Sequence, residues 1–128
     1  MGDRVRVLVV DDQAVVRSAT RSLLDATHEF EAVGEAASGV EALLAIERLA
    51  PDLVLLDVRM PGMDGIETAQ RIHDSHNGTV VVLMSSDPLA GRRVAPAAPF
   101  VAKEQLKPAV LRDLWARHAP ARSHSHLD

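Results

Sequence analysis

A chain of 128 residues, 47% hydrophobic and 25% charged, has the balance of one folded soluble domain with little left for a second. A net charge of −4 argues against a general nucleic-acid or anionic-membrane binder, and three aromatics (Phe30, Phe100, Trp115) are too few for a base-stacking surface. The absence of cysteine removes disulfides, thiol catalysis and thiolate metal sites, and the short apolar runs, with no signal-peptide pattern, point to a cytoplasmic setting.

Short β-type runs alternate with helical stretches. Arg4 to Val10 is rich in β-branched residues and stops at Asp11-Asp12. Val16, Ala19 and Leu23 then share one helical face, in a helix expected to reach about Ala26. Phe30 to Ala36 reads as a more exposed second strand. Ser38-Gly39-Val40-Glu41 is a capping box, followed at helical spacing by Val40, Leu43, Leu44 and Glu47 until Pro51. Leu53-Val54-Leu55-Leu56 is wholly apolar, the mark of a strand covered on both faces, and Asp57 ends it.

Arg59 to Gly65 is a loop by its proline and glycine content, and Asp64-Gly65-Ile66-Glu67 starts a helix expected to run to about His73. Asn77-Gly78 is a turn. Thr79 to Met84 is another buried strand, ending at Ser85-Ser86, and Pro99-Phe100-Val101-Ala102 is a last short strand with Lys103 at its end. A helix opened by Pro108 carries Leu111, Leu114 and Trp115. The stretch 87–99 should hold a fourth crossover helix, expected short or disordered because Gly91, Pro96 and Pro99 oppose one. The expected division is a domain over 4–117 and a disordered tail over 118–128, with no output domain. His124 and His126 read as part of that solvated tail.

This alternation implies an α/β fold, a doubly wound five-stranded parallel sheet. In the order 2-1-3-4-5 the first and third strands adjoin at a switch point, where ligands gather beyond the strand C-termini. Asp11, Asp12, Asp57, Ser85 and Lys103 all follow strands, so that order turns five dispersed residues into one cluster. Three carboxylates together call for a cation, and an oxygen-only donor set favours Mg²⁺. With a lysine and a hydroxyl to meet a phosphate, these are the parts of phosphoryl transfer to a carboxylate. Taken singly, each has a plainer reading: the acidic pair as a cap and a solvated charge, Asp57 as a turn residue, Ser85 as a backbone partner.

The motifs Val7-Leu8-Val9-Val10-Asp11-Asp12, Asp52-Leu53-Val54-Leu55-Leu56-Asp57, Met60-Pro61-Gly62-Met63-Asp64-Gly65, Val81-Val82-Leu83-Met84-Ser85-Ser86 and Phe100-Val101-Ala102-Lys103 stand in this order. Across about residues 4 to 117 the chain resembles the receiver domains of two-component response regulators, the flavodoxin-like family of the chemotaxis response regulator. The resemblance implies that Asp57 is the phosphoacceptor. It implies that Asp11, Asp12, Asp57 and the Arg59 backbone carbonyl hold Mg²⁺, that Ser85 hydrogen-bonds the phosphoryl group and that Lys103 pairs with it. Phe100 occupies the position of the switch aromatic, whose rotamer tracks the Ser85 hydroxyl; a static core residue is the rival reading. Arg59 and Asp87, each two residues beyond a site residue, would face each other over the site and modulate loss of the phosphoryl group, with an inconsequential surface ion pair as the alternative.

The chain departs from the family in having Lys103 only 18 residues after Ser85, about one helical turn short, and Ala97-Ala98-Pro99 in place of a Gly-Ala pair. The expected partners are a sensor histidine kinase or phosphotransfer protein and a downstream protein, with no nucleic acid or membrane, the chain being a monomer or a phosphorylation-dependent dimer. It would assist its own modification without being an enzyme in the ordinary sense. The alternative is a constitutive interaction module that keeps the fold and has lost switching.

Overall fold

The computed structural model describes residues 4–87, 89–90 and 98–120. In chain order these form β1 (Val5–Val10), α1 (Ala14–Asp25), β2 (Phe30–Ala36), α2 (Gly39–Leu49), β3 (Leu53–Asp57), α3 (Gly65–Ser75), β4 (Val80–Ser85), β5 (Phe100–Ala102), a 3₁₀ turn (Lys103–Gln105) and the C-terminal helix α4 (Pro108–His118). The strands make one sheet in the order β2-β1-β3-β4-β5, and every pairing is parallel. All strand C-termini therefore open on the same edge, and the expected fold class holds. The segment 87–99, expected to carry the short or disordered fourth crossover helix, lies mostly outside the described residues, as do residues 121–128 of the tail. α4 continues through His118, one residue into the span assigned to that tail.

Side chains alternate between two apolar layers, one on each face of the sheet. Leu8, Val10, Val54, Leu56 and Leu83 pack with Ala42 and Ile46 of α2 and Ile72 of α3. Val7, Val9, Leu53, Leu55, Val82 and Met84 pack with Leu24 of α1 and Leu111 of α4. β3 is buried at all five residues, as its uninterrupted apolar run requires.

Local signals set the helix starts. Ser38 Oγ accepts from the Glu41 amide at 3.1 Å and Glu41 Oε1 accepts from the Ala37 amide at 3.0 Å, a reciprocal cap displaced by one residue from the usual box. Asp64 Oδ1 accepts from the Glu67 amide at 2.9 Å, and the helix it opens runs to Ser75, two residues past the expected end. Pro108 is in the first turn of α4.

Two helix faces differ from the sequence reading. In α2, Val40 and Leu44 are 59% and 62% exposed, while Ala42, Ala45 and Ile46 are buried. Both faces are apolar in part, but Val40 and Leu44 share theirs with the exposed Glu41, Glu47 and Arg48, and the face through Ala42, Ala45, Ile46 and Leu49 carries no charge. In α1, Ala19 is exposed and Thr20 and Leu24 point inward. Thr20 tolerates this because its hydroxyl donates to the Val16 carbonyl at 2.9 Å.

Candidate functional site

Register places the site residues. Val10 of β1 pairs with Leu56 of β3, so Asp11 and Asp57 leave adjacent strands at the same level. Asp57 pairs with Met84, which puts Ser85 one residue further along the next strand, and Ser85 pairs with Ala102, just before Lys103. The sequence-predicted cluster is thereby assembled. Carboxylate oxygens of Asp11, Asp12 and Asp57 all lie within 4.8 Å of one another, with Asp11 and Asp57 buried and Asp12 exposed.

Lys103 joins this group from the far strand. Its Nζ donates to Asp11 Oδ2 at 2.7 Å and stands 3.5 Å from Asp57 Oδ1. Asp11 Oδ1 accepts from the Gln13 amide at 2.9 Å, and Asp57 Oδ1 receives a longer contact from the Arg59 amide at 3.4 Å. Burial raises the Asp57 carboxyl above its ordinary value and the Asp11 charge raises it further, with Lys103 and the Arg59 amide opposing. For Lys103, burial disfavours the ammonium, but its hydrogen bond to Asp11 and the attraction of Asp57 outweigh burial and lift its pKa.

Three carboxylates against one ammonium leave the cluster short of positive charge. The donors are all oxygens, with no imidazole or thiolate among them, so the set suits a hard divalent ion such as Mg²⁺.

Ser85 is buried, and its Oγ accepts from the Asp87 amide at 2.9 Å, which leaves the hydroxyl proton available to another acceptor. Arg59 Nη2 and Asp87 Oδ2 meet at 3.1 Å, so the two loops beyond Asp57 and Ser85 do face each other; the Arg59 side chain is 70% exposed. Phe100 is half-buried on β5 and packs against the α2–α3 layer. Trp115 packs against the opposite layer. His124 and His126 lie outside the described residues.

Two contributors carried no signal in the sequence. Gly65 opens α3 directly against β3: its amide donates to the Val58 carbonyl at 2.8 Å, and a Cβ at this position would collide with the Asp57 carbonyl oxygen. The Asp64-Gly65 pair marks a helix start, but not that close approach. Arg17, in the first turn of α1, donates to the Asp11 carbonyl at 2.8 Å. Nothing distinguishes it in sequence from a solvated helical arginine.

The response regulator receiver domain profile matches residues 7–107. A protein-glutamate methylesterase/protein-glutamine glutaminase of Halalkalibacterium halodurans is 43% identical over 98 residues, covering 77% of this chain and 28% of that protein. The chain spans about a quarter of the length of the methylesterases it matches, 28% and 22% in two of them, and 36% to 38% of the transcriptional regulators. Among solved structures, the signal receiver domain of NarL from Mycobacterium tuberculosis has a TM-score of 0.77 at 31% identity, covering 87% of this chain and 95% of that one. A CheX-CheY-BeF3-Mg complex from Borrelia burgdorferi matches with a TM-score of 0.74 at 25% identity, covering 90% of each chain.

Proposed function

The chain belongs to the response regulator receiver domain family of two-component systems, and from that premise we propose that Asp57 accepts a phosphoryl group from a phosphohistidine on a sensor histidine kinase or phosphotransfer protein. A carboxylate oxygen of Asp57 forms the new bond to phosphorus as the phosphorus–nitrogen bond breaks, and that electron pair returns to the donor imidazole. Asp11, Asp12, Asp57 and the Arg59 backbone carbonyl would hold Mg²⁺, which when bound neutralises charge on the transferring group. Lys103, already within 3.5 Å of Asp57, pairs with the phosphoryl oxygens, and the Ser85 hydroxyl turns its free proton toward them. Phe100 follows that movement as the switch. The Arg59–Asp87 pair closes over the site and slows hydrolysis of the acyl phosphate.

The observation that carries this reading is the convergence of three carboxylates within 4.8 Å around an ammonium from the far strand. The BeF3-Mg complex of the Borrelia CheY supports it, since BeF₃⁻ has the charge and tetrahedral shape of a phosphoryl group. Next to Lys103, an apolar groove lined by Val16, Ala19, Leu23, Met84 and Leu106 gives the donor protein a surface close to the acceptor. The chain assists its own modification and turns over no other substrate. Its output is a changed affinity for a downstream protein, in the cytoplasm, as a monomer or a phosphorylation-dependent dimer. No helix among the described residues is long and apolar enough to cross a membrane.

Acetyl phosphate with Mg²⁺ tests the proposal: intact mass should rise by about 80 Da, with no rise for Asp57→Asn or with excess EDTA. No gain in the wild type overturns it. The 18-residue gap from Ser85 to Lys103 and the three-residue β5 favour one second reading, a constitutive interaction module. Partner capture identical before and after phosphorylation selects that module.

A further inference from the structure

The main chain bearing the two N-terminal aspartates is held from outside the acidic cluster. Arg17 Nη1 donates to the Asp11 carbonyl at 2.8 Å, and Arg17 Nε donates to Glu35 Oε1, also at 2.8 Å. Arg21 Nε stands 3.4 Å from the other Glu35 oxygen. Glu35 is on β2, in register with Val9, and the next residue, Ala36, accepts the Asp11 amide at 3.1 Å. β2 thus holds the peptide before Asp11 directly and the peptide after it through Arg17. The Arg17 side chain is only 18% exposed and its bond to the Asp11 carbonyl is part-buried, while its Glu35 partner is exposed.

We propose that Arg17, buttressed by Glu35, is a positioning residue for the cation seat. A peptide unit is planar, so fixing the Asp11 carbonyl fixes the plane of the Asp11–Asp12 peptide and the direction in which Asp12 leaves it. Asp12 needs such direction from its backbone, because no hydrogen bond or ion pair restrains its exposed carboxylate among the described residues. The same grip keeps Asp11 Oδ1 on the Gln13 amide and Oδ2 toward Lys103. This inference rests on the reading that the three carboxylates hold Mg²⁺.

Charge alone and positioning predict different signs. As a bare positive charge, Arg17 repels Mg²⁺, so Arg17→Gln would tighten binding while Glu35→Gln would weaken it. As a positioning pair, both substitutions weaken binding. Mg²⁺ titration of the unphosphorylated protein by calorimetry at fixed ionic strength separates the two. Arg17→Gln and Glu35→Gln should each raise Kd about three- to ten-fold, at or below the roughly ten-fold lower end for direct outer partners of metal ligands, since Arg17 grips the main chain and not a ligand atom. The double variant should be no worse than the weaker single one. Arg21→Gln, which touches Glu35 but not Asp11, should leave Kd unchanged.

A metal-free readout accompanies this: amide hydrogen exchange at Gln13 should quicken in Arg17→Gln and Glu35→Gln and stay at the wild-type rate in Arg21→Gln. Tighter or unchanged Mg²⁺ binding in Arg17→Gln, or an equal loss in Arg21→Gln, overturns the assignment. A wild type that takes up no Mg²⁺ overturns the metal reading itself, and Gln13 exchange then decides whether Arg17 still positions Asp11.

Discussion

Lys103 is hydrogen-bonded to Asp11, not to Asp57: its Nζ lies 2.7 Å from Asp11 Oδ2 and 3.5 Å from Asp57 Oδ1. Asp11 is fully buried, whereas the Lys103 side chain keeps 20% exposure, so the lysine compensates the carboxylate that water cannot reach. The partial separation leaves Asp57 the less compensated of the two acids.

Lys103→Gln should therefore destabilise the metal-free protein by about 2–4 kcal/mol, because it strands the Asp11 charge. Mg²⁺ should recover much of this loss, since a divalent ion supplies the missing charge to the same carboxylates. Urea unfolding with EDTA and with Mg²⁺ measures both. The raised Lys103 pKa gives the direction with pH: its contribution is complete below the ordinary value of 10.5 and is lost as pH rises through the higher folded value.

Asp57 is linked to pH in the same direction, with a different consequence at neutral pH. Its carboxyl is raised in the folded state, so its contribution is complete below 3.8 and is lost as pH rises through the folded value. At neutral pH the ionised group costs stability, and metal-free Asp57→Asn should be more stable than wild type by about 1 kcal/mol, within the usual range of favourable single changes. The gap should narrow as pH falls toward 3.8. Urea midpoints of the two proteins across acid pH check this; a gap that widens in acid contradicts it.

Gly65→Ala should cost about 2–3 kcal/mol, although alanine for glycine ordinarily stabilises a helix, because the added carbon meets the Asp57 main chain. Since the strain falls on the backbone of the acceptor, the acetyl phosphate reaction should slow in the fraction that remains folded. Gly78→Ala is the control: nothing lies near a Cβ there, and neither stability nor reaction rate should change.

The strands and the cluster were legible because apolar runs ended by Asp11, Asp57, Ser85 and Lys103 leave few parallel arrangements, and one of them brings those ends together. The α2 face was not, because Val40–Leu44 and Ala42–Ala45–Ile46 both fit a 3.6-residue period and burial went to the face without charge. Arg17 was equally hidden: its role depends on where the Asp11 carbonyl points, which sequence spacing does not encode. The preference of Lys103 for Asp11 over Asp57 is a difference of less than an ångström, finer than sequence spacing encodes.

β5 contributes neighbouring residues to opposite sides of the sheet: Phe100 rests on the α2–α3 layer and Val101 on the α1–α4 layer. The strand is three residues long and is bonded on its inner side to β4. Lys103 follows at once, so its main chain is carried by residues anchored in both layers. That makes this short rib a shared tether between the acidic nook at the sheet edge and the two outer coats of helices.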